Sequence, residues 1–224
     1  MLNPCFGKST PEIRALIFDM DGVIIDSNPL HCAAWSEYLR RCGVEMTEAM
    51  RLRMYGRRND EIIRDFLGTD LCDSEVFAHG AAKETLYREM MRAHIETSLV
   101  PGIREFLERY RNLPLGVATN AEKPNVDFVL DATGLRHYFR LVIDGHQVSR
   151  AKPDPEIYLR VAGSLGVPAE NCVVFEDSYT GVAAGLAAGM RVIGLTTTHC
   201  ELPGVSLSLP DFLAAGLQAW MSLN

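Results

Sequence analysis

A run of four apolar residues followed by two aspartates constrains this chain more than any other feature. The run Ala15–Phe18 is too short for a convincing helix and is followed by a glycine turn, so it predicts a buried strand. Asp19 and Asp21 come directly after it, and side chains at i and i+2 of an extended backbone point to the same side. Two adjacent carboxylates repel each other unless a cation or a chemical task compensates. We interpret this strand end as a site for nucleophilic catalysis with an acid/base partner.

Two other interpretations of the acidic pair are a calcium-binding loop and a solvated turn. A calcium-binding loop needs its glycine at the sixth position, whereas Gly22 follows Asp21 directly. A solvated turn with two chance acids stays open on this segment alone, so the choice depends on what the rest of the chain supplies.

Composition limits the class of protein and its partners. A chain of 224 residues can bury one good core, or one core and a small accessory unit. The formal net charge of −7 argues against a nucleic-acid or membrane partner, because both need a basic patch. Small anionic metabolites stay possible, since a metal ion and a few local cations invert the potential of a site. We take a monomer as the default.

Cysteine spacing and hydropathy bear on the cellular compartment. The six cysteines show no Cys-x-x-Cys spacing, so we expect reduced thiols. The first eight residues contain no apolar run typical of a signal peptide, and no stretch of about 18 apolar residues occurs. We therefore expect a cytoplasmic protein.

Short apolar runs alternate with helical patterns, which predicts a parallel sheet built from strand–helix units. The predicted strands are Ala15–Phe18, Leu115–Ala118, Leu141–Ile143, Cys172–Phe175 and Val192–Leu195. Almost a hundred residues without a convincing strand separate the first two strands.

That long interval has the pattern of helices. An i+4 apolar repeat predicts a first helix that ends at Gly43, and Gly56 and Gly68 separate two shorter helices. Ser74 is the predicted cap of a long fourth helix. We expect residues 29–97 to form an inserted helical cap domain, and residues 1–28 and 98–224 to form the α/β core. Near the end of that core, Gly181, Gly185 and Gly189 predict a helix packed closely on the sheet.

The ends of the other predicted strands also carry polar groups. In a doubly wound parallel sheet, ligands bind beyond the carboxyl ends of the strands. Thr119 and Asn120 follow the second strand and can donate hydrogen bonds to an anion. Lys152 follows the third strand after a loop, and Glu176 and Asp177 follow the fourth. Taken singly, these groups have plainer interpretations: an ordinary turn, a solvated lysine and a helix N-cap at Asp177 or Ser178.

Together these groups favour phosphoryl transfer. Carboxylates from neighbouring strands suit Mg²⁺, which keeps several waters and a phosphate oxygen among its ligands. A hydroxyl and an ammonium would bind the remaining phosphate oxygens.

These motifs resemble the haloacid dehalogenase superfamily, in the subgroup with a helical cap inserted after the first strand. The resemblance rests on Asp-Met-Asp-Gly-Val from Asp19, then Thr119, Lys152 and the run Glu176-Asp177-Ser178, in that order. It extends over nearly the whole chain and is closest to the β-phosphoglucomutase and sugar-phosphate phosphatase type. It implies a doubly wound, Rossmann-like parallel sheet core with an inserted α-helical cap.

The resemblance also implies roles for these residues. Asp19 would be the nucleophile that forms an aspartyl-phosphate, and Asp21 would be the general acid and base. Thr119 and Lys152 would hold the phosphoryl group, and Lys152 would keep Asp19 ionised. The metal ligands would be Asp19, the Asp21 backbone carbonyl, Asp177 and, directly or through water, Glu176.

Asp21 separates branches of the superfamily. Dehalogenases generally lack this second aspartate, and phosphonate-cleaving members usually carry a non-acid there, so its presence implies phosphotransfer. A regulator that only binds phosphorylated ligands would be expected to lose an acid or the lysine. Asp19, Asp21 and Lys152 are all present.

The resemblance leaves two activities open, a phosphatase and a sugar-phosphate mutase. His31, Arg57, Arg58 and Lys83 are the cap residues expected to bind substrate, with packing or solvated positions as their alternatives. A mutase needs a second phosphate site, and Glu122 puts an acid where the mutases carry a polar, cationic stretch. We therefore favour a phosphatase acting on a small phosphorylated metabolite, with the mutase as the alternative.

Overall fold

The computed structural model describes residues 11–54 and 57–223, so Cys5 and Gly56 lie outside the described residues. The core is a six-stranded sheet in the order β3-β2-β1-β4-β5-β6, and every neighbouring pair is parallel. The strands are β1 (Ala15–Phe18), β2 (Leu115–Ala118), β3 (Leu141–Ile143), β4 (Cys172–Glu176), β5 (Arg191–Leu195) and β6 (Leu207–Leu209). The predicted parallel α/β sheet is therefore confirmed.

The strand order places the functional edge of the sheet. The chain runs outward from β1 through β2 to β3, then returns to the other side of β1 with β4. Such a reversal opens a crevice at the carboxyl ends of the two central strands. The groups that follow β1 and β4 therefore meet there.

Nine helices are present in the described part of the chain. Five lie between β1 and β2, the first four of them in the predicted cap, and the other four follow β2. They are α1 (Asn28–Arg41), α2 (Glu48–Met54), α3 (Asn59–Leu67), α4 (Asp73–Met91), α5 (Ile103–Tyr110), α6 (Lys123–Ala132), α7 (Glu156–Leu165), α8 (Tyr179–Ala187) and α9 (Ala215–Leu223).

Two of the predicted helix ends agree with the structure and one differs. Gly43 follows the end of α1 with φ of 80°, and Gly68 is the C-cap of α3. The predicted cap at Ser74 is wrong, because Cys72 is the N-cap of α4 and Ser74 lies in the first turn. The Cys72 backbone N–H donates to Glu75 Oε2 at 2.9 Å, which satisfies a donor that the helix leaves unpaired.

Alternate residues of β1 face opposite sides of the sheet and build two apolar layers. Phe18 stacks on Phe175 with ring centroids 4.9 Å apart in one layer. Ile17 packs with Tyr158 in the other layer. Since β1 is fully buried on both faces, its apolar run is continuous rather than alternating.

Helices α1 to α4 also bury an apolar cluster of their own, which includes Trp35, Leu39 and Ile63. Tyr87 and Met91 of α4 belong instead to the layer shared with the sheet. The inserted helices therefore have an apolar core of their own, and α4 also packs against the sheet domain. The boundaries 28/29 and 97/98 stay a prediction.

Helix α8 approaches the sheet closely at two of the three predicted glycines. A Cβ at Gly185 would lie 2.8 Å from Val192 Cγ2, and one at Gly181 would overlap the Glu176 carboxylate. Gly189 differs, since it follows the helix with φ of 76° and a Cβ there would meet nothing within 4 Å. It serves the turn and not the packing.

Two further findings concern the environment of the chain. Among the described helices, none has the length and apolar content needed to cross a bilayer. The cysteines at described positions are free thiols, namely Cys32, Cys42, Cys72, Cys172 and Cys200.

Candidate active site

The loop after β1 holds Asp19 and Asp21 at the carboxyl edge of the sheet. The Asp19 backbone N–H donates to Phe175 O at 3.0 Å, which ties this strand end to β4. Gly22 turns the chain with φ of 78°, a conformation that side chains other than glycine disfavour. A Cβ at Gly22 would also overlap the Asp177 carboxylate. The turn and the close approach of Asp177 therefore both require glycine.

Lys152 lies at the centre of the buried part of the site. Its ammonium donates to Asp19 Oδ1 at 2.8 Å, to Glu176 Oε1 at 2.7 Å and to Ala118 O at 3.0 Å. These three contacts match the three donors of an ammonium, which holds it in one orientation. The side chain enters from the loop between β3 and α7 and is 3% exposed.

Glu176 ends β4 and is fully buried. Its Oε1 accepts from Lys152 and from Tyr158 Oη at 2.8 Å. Its Oε2 accepts from the Asp177 backbone at 2.8 Å, and from the Ser178 backbone and hydroxyl, each at 3.0 Å. Ser178 is also the N-cap of α8 and accepts from the Gly181 backbone N–H. Both oxygens of Glu176 are thus occupied by protein donors.

Asp177 is held from the opposite side of the cleft. Its Oδ2 accepts from Thr198 Oγ1 and from Asn28 Nδ2, the latter at 3.3 Å. Asn28 Nδ2 also donates to Thr198 Oγ1 at 2.5 Å. The start of α1 and the segment after β5 therefore meet at this carboxylate.

The three buried acids carry more negative charge than the one lysine balances. Ligand atoms of Asp19, Glu176 and Asp177 all lie within 4.8 Å of one another. Burial raises the pKa of Asp19 to about 7, against the opposing effect of Lys152. Burial, then the charges of Glu176 and Asp19, raise the pKa of Asp177 well above its usual range. The sequence predicts that Lys152 keeps Asp19 ionised. Lys152 does lower the pKa of Asp19, but it does not offset the larger effect of burial.

This surplus of carboxylate charge fits a divalent cation. Buried carboxylate oxygens are the ligands that Mg²⁺ takes, and a second positive centre would offset their mutual repulsion. The donor set is all oxygen, which does not suit a softer, thiolate-binding metal.

Thr119 and Asn120 line the same cleft at the end of β2. Thr119 is buried, and its hydroxyl accepts from the Ala121 backbone N–H at 3.1 Å. Asn120 Oδ1 is buried without a hydrogen-bond partner in the described structure. A buried polar atom of this kind is costly unless a ligand or water satisfies it.

Asp21 faces the inserted helices rather than the lysine. Ser27 Oγ donates to Asp21 Oδ1 at 2.5 Å, and His31 Nε2 lies 3.6 Å from the same oxygen. Burial would raise the pKa of Asp21, but hydrogen bonding and charge from His31, together with Ser27, lower it below its usual value. Lys83 Nζ lies 2.8 Å from His31 Nδ1.

Lys83 and Glu84 form a buried pair on α4 that joins the inserted helices to the core. Lys83 Nζ donates to Glu84 Oε1 at 2.8 Å, and Asn59 Nδ2 donates to the same oxygen at 2.7 Å. Glu84 Oε2 accepts from Asn125 Nδ2 of α6 at 2.6 Å. Although burial opposes it, the charges of Lys83 and His31 lower the pKa of Glu84 to about 2.

The structure separates the two arginines that the sequence grouped together. Arg57 lines the cleft, and its guanidinium donates to Asp65 at 2.9 Å and to the side chain of Glu61 at 3.3 Å. Arg58 lies 3.4 Å from Asp60 and lines a neighbouring groove instead. Of the predicted cap residues, His31, Lys83 and Arg57 therefore reach the cleft, and Arg58 does not.

Several residues of the site were not predicted from the sequence. They are Asn28, Asn59, Glu84, Asn125, Tyr158 and Thr198. Thr198 has a signal in the sequence, since it lies just beyond the carboxyl end of β5. Asn59, Glu84 and Asn125 meet only when α3, α4 and α6 pack together, so no local pattern marks them.

Comparisons with known proteins agree with this architecture. The model of the haloacid dehalogenase-like hydrolase family matches residues 13–189. The chain is 32% identical to fructose-1-phosphate phosphatase YqaB of Escherichia coli, over 80% of this chain and 94% of that protein. It is 35% identical to the phosphorylated carbohydrates phosphatase of Thermotoga maritima, over 82% of this chain and 85% of that protein.

A solved structure supports the same fold. The β-phosphoglucomutase of Clostridium difficile superposes with a TM-score of 0.83, covering 93% of this chain and 96% of its own. At 24% identity this likeness concerns the fold alone. The family model covers most of the chain, and the aspartates, threonine, lysine and acidic pair converge at one edge of the sheet. The chain is therefore an enzyme of the haloacid dehalogenase-like hydrolase family.

Proposed function

We propose that this enzyme is a Mg²⁺-dependent phosphatase that hydrolyses phosphorylated sugars through an aspartyl-phosphate on Asp19. The observation that carries the proposal is the placement of Asp19 against Lys152 at 2.8 Å, with Asp21 in the same cleft. The names of the two bacterial phosphatases support phosphorylated carbohydrates as the substrate class.

The first step forms one bond and breaks another. Hydrogen bonding from Lys152 occupies Asp19 Oδ1, so Oδ2 attacks phosphorus. The bond between phosphorus and the sugar oxygen breaks as Asp21 gives its proton to that oxygen. In the second step water attacks phosphorus, Asp21 takes a proton from it, and the bond to Asp19 breaks to release phosphate.

Asp21 has to alternate between two protonation states. Its lowered pKa suits the ionised form, which accepts a proton from water in the second step. A bound phosphate brings negative charge beside Asp21 and favours the protonated form that the first step needs. Ser27 and His31 hold the carboxylate in place throughout.

Asp19, Asp177 and the Asp21 backbone carbonyl are the proposed ligands of Mg²⁺. Glu176 would act through water, because five protein donors already occupy its oxygens. When bound, Mg²⁺ supplies positive charge between the nucleophile and the phosphoryl group.

Thr119, Asn120 and Lys152 are the proposed partners of the transferring phosphoryl group. His31, Lys83 and Arg57 are proposed to bind the rest of the substrate from the cap. The proposed cap is residues 29–97, and the proposed core is residues 1–28 and 98–224.

All these groups belong to one chain, so a monomer suffices. Free thiols agree with a reducing, cytoplasmic setting.

The charges lining the cleft favour a phosphatase over a mutase. A mutase binds a bisphosphate and needs cations for its second phosphate. Of the described cations on the cap side of the cleft, Lys83 is paired with Glu84, and Arg57 contacts Glu61 and Asp65. Glu122 adds a carboxylate that accepts from Asn59 Nδ2 at 2.9 Å. These pairings leave little positive charge for a second phosphate.

The test is ³¹P NMR of the purified protein with Mg²⁺ and a panel of sugar monophosphates that includes fructose 1-phosphate. Release of inorganic phosphate, lost on chelation of Mg²⁺, is the expected result. A parallel sample contains β-glucose 1-phosphate and a trace of glucose 1,6-bisphosphate. Formation of glucose 6-phosphate in it would contradict the proposal and assign the mutase activity.

A further inference from the structure

Tyr158 is a buried group beside the site that the proposed function does not use. It lies on α7, is fully buried, and belongs to the apolar layer on one side of the sheet. Its hydroxyl nonetheless donates to Glu176 Oε1 at 2.8 Å. A carboxylate only accepts hydrogen bonds, so the Tyr158 hydroxyl is the donor in this contact.

Tyr158 also contacts the lysine directly. The Lys152 ammonium lies 4.8 Å from the centroid of the Tyr158 ring. A cation over an aromatic face is attracted by the negative face of the ring, and the attraction is larger where water is excluded. Tyr158 therefore touches both members of the buried pair, the carboxylate through its hydroxyl and the ammonium through its ring.

The hydroxyl and the ammonium share one oxygen atom. Glu176 Oε1 accepts from Tyr158 and from Lys152, while Oε2 accepts from the turn that starts α8. Without the tyrosine hydroxyl, Lys152 would be the single described donor to Oε1. The ammonium would then shift toward Glu176, at the expense of its 2.8 Å contact with Asp19.

We propose that Tyr158 is a positioning residue that holds Lys152 against Asp19 by anchoring Glu176 and by packing its ring under the ammonium. Its proposed action is indirect, through Glu176 and Lys152, and not through contact with the phosphoryl group or the metal ion. The inference rests on the proposed function, since it assumes that Lys152 serves turnover.

Tyr158→Phe tests the hydroxyl while it keeps the ring and its apolar contacts. We expect kcat to fall about tenfold and the inhibition constant of inorganic phosphate to rise about fivefold, the size of effect of one buried hydrogen bond to a charged group. Tyr158→Leu lacks the ring as well and is expected to lose more. Both are assayed with Mg²⁺ in excess, at a temperature where circular dichroism shows them folded.

Tyr138→Phe is the matched control, because Tyr138 Oη also donates to a glutamate, Glu108, at 3.0 Å, but on the surface. It is expected to match the wild type in both constants. If folded Tyr158→Phe has wild-type kcat and phosphate inhibition with only a lower unfolding midpoint, Tyr158 is structural and the inference is wrong. Lys152→Ala distinguishes a failure of this inference from a failure of the proposed function. Wild-type turnover in that variant would contradict the proposed function itself.

Discussion

At the scale of single residues, the site concentrates negative charge that burial makes costly. Asp19, Glu176 and Asp177 are all buried, and Lys152 is the cation that contacts the first two. Burial of like charges disfavours the ionised forms, and a functional site accepts that cost where chemistry needs the groups. The buried cluster of acids therefore indicates a functional site and not a stabilising one.

Asp19→Asn is expected to abolish turnover and leave the fold intact. The amide keeps the shape of the side chain but cannot form an acyl phosphate, so kcat should fall below about a hundredth of the wild-type value. Because the neutral amide also avoids burying a carboxylate, the unfolding midpoint should not fall. The measurements are phosphate release and thermal unfolding by circular dichroism. Retention of more than that hundredth would exclude Asp19 as the nucleophile.

Gly22→Ala is expected to destabilise the protein more than an otherwise similar glycine substitution. Both Gly22 and Gly43 have φ near 80°, which costs a side chain about 1–2 kcal/mol. A Cβ at Gly43 meets nothing within 4 Å, whereas one at Gly22 overlaps Asp177. Gly43→Ala should therefore lose the conformational cost alone, and Gly22→Ala about 1–3 kcal/mol more.

Urea unfolding of these two alanine variants measures the difference. Gly22→Ala is also expected to weaken activation by Mg²⁺, because Asp177 must move, while Gly43→Ala keeps wild-type activation. Equal losses of stability in both variants would show that the contact with Asp177 carries no energy.

At the scale of helices and strands, α4 is the element that connects the inserted helices to the core. Its Glu84 joins Lys83 of the same helix to Asn125 of α6. Removing one member of a buried ion pair leaves the other charge uncompensated, which typically costs about 3–5 kcal/mol. The pair therefore makes the junction sensitive to a single charge.

Glu84→Gln should lower the free energy of unfolding by about 3–5 kcal/mol at neutral pH. Glu89→Gln on the same helix is the control, because Glu89 is exposed, and it should change stability by less than about 0.5 kcal/mol. Urea unfolding of both variants is the measurement. A loss in Glu84→Gln no larger than in the control would show that the buried pair is energetically neutral.

The lowered pKa of Glu84 predicts that the stability contributed by this residue depends on pH. The pKa of Glu84 is lowered from 4.5 to about 2 in the folded protein. Its ionised form therefore stabilises the fold above pH 4.5, and that contribution is lost as the pH falls toward 2. The stability difference between wild type and Glu84→Gln should shrink over that interval in urea unfolding. A constant difference would contradict the assignment.

At the scale of the whole molecule, the cleft exists because the inserted helices cover the carboxyl edge of the sheet. Arg57 lines this cleft from the α2–α3 connection, and Arg58 lines the adjacent groove. The two neighbouring arginines therefore provide a matched pair for testing whether the cap reads the substrate.

Arg57→Ala should raise KM for the best sugar phosphate about 5- to 10-fold, as expected for one lost hydrogen bond to a charged group. It should hardly change KM for a small aryl phosphate, which does not extend to the cap. Arg58→Ala should change neither constant. Steady-state kinetics on both substrates measures this, and an equal effect of Arg57→Ala on both would show that Arg57 does not read the substrate.

The sequence by itself determined the parallel sheet and the groups at its strand ends. Five of the six strands were predicted because each contains a short apolar run, and polar groups follow four of these runs, in the case of Lys152 after a loop. The strand Leu207–Leu209 was missed because a serine interrupts its apolar run, whereas β3, the other three-residue edge strand, is apolar throughout. Thr119, Lys152 and Asp19 were identified because they follow strands, and ligands bind beyond the carboxyl ends of the strands in this kind of sheet.

Only the tertiary structure decided which cap residues reach the cleft and which groups support the acids. Asn28 and Asp177 are 149 positions apart, and Tyr158 reaches Glu176 from the buried face of α7. Arg57 and Arg58 are neighbours in sequence yet line different surfaces, because one residue along the chain turns a side chain to another side. Local pattern fixes strand ends, whereas contacts between distant segments depend on helix packing that no local pattern contains.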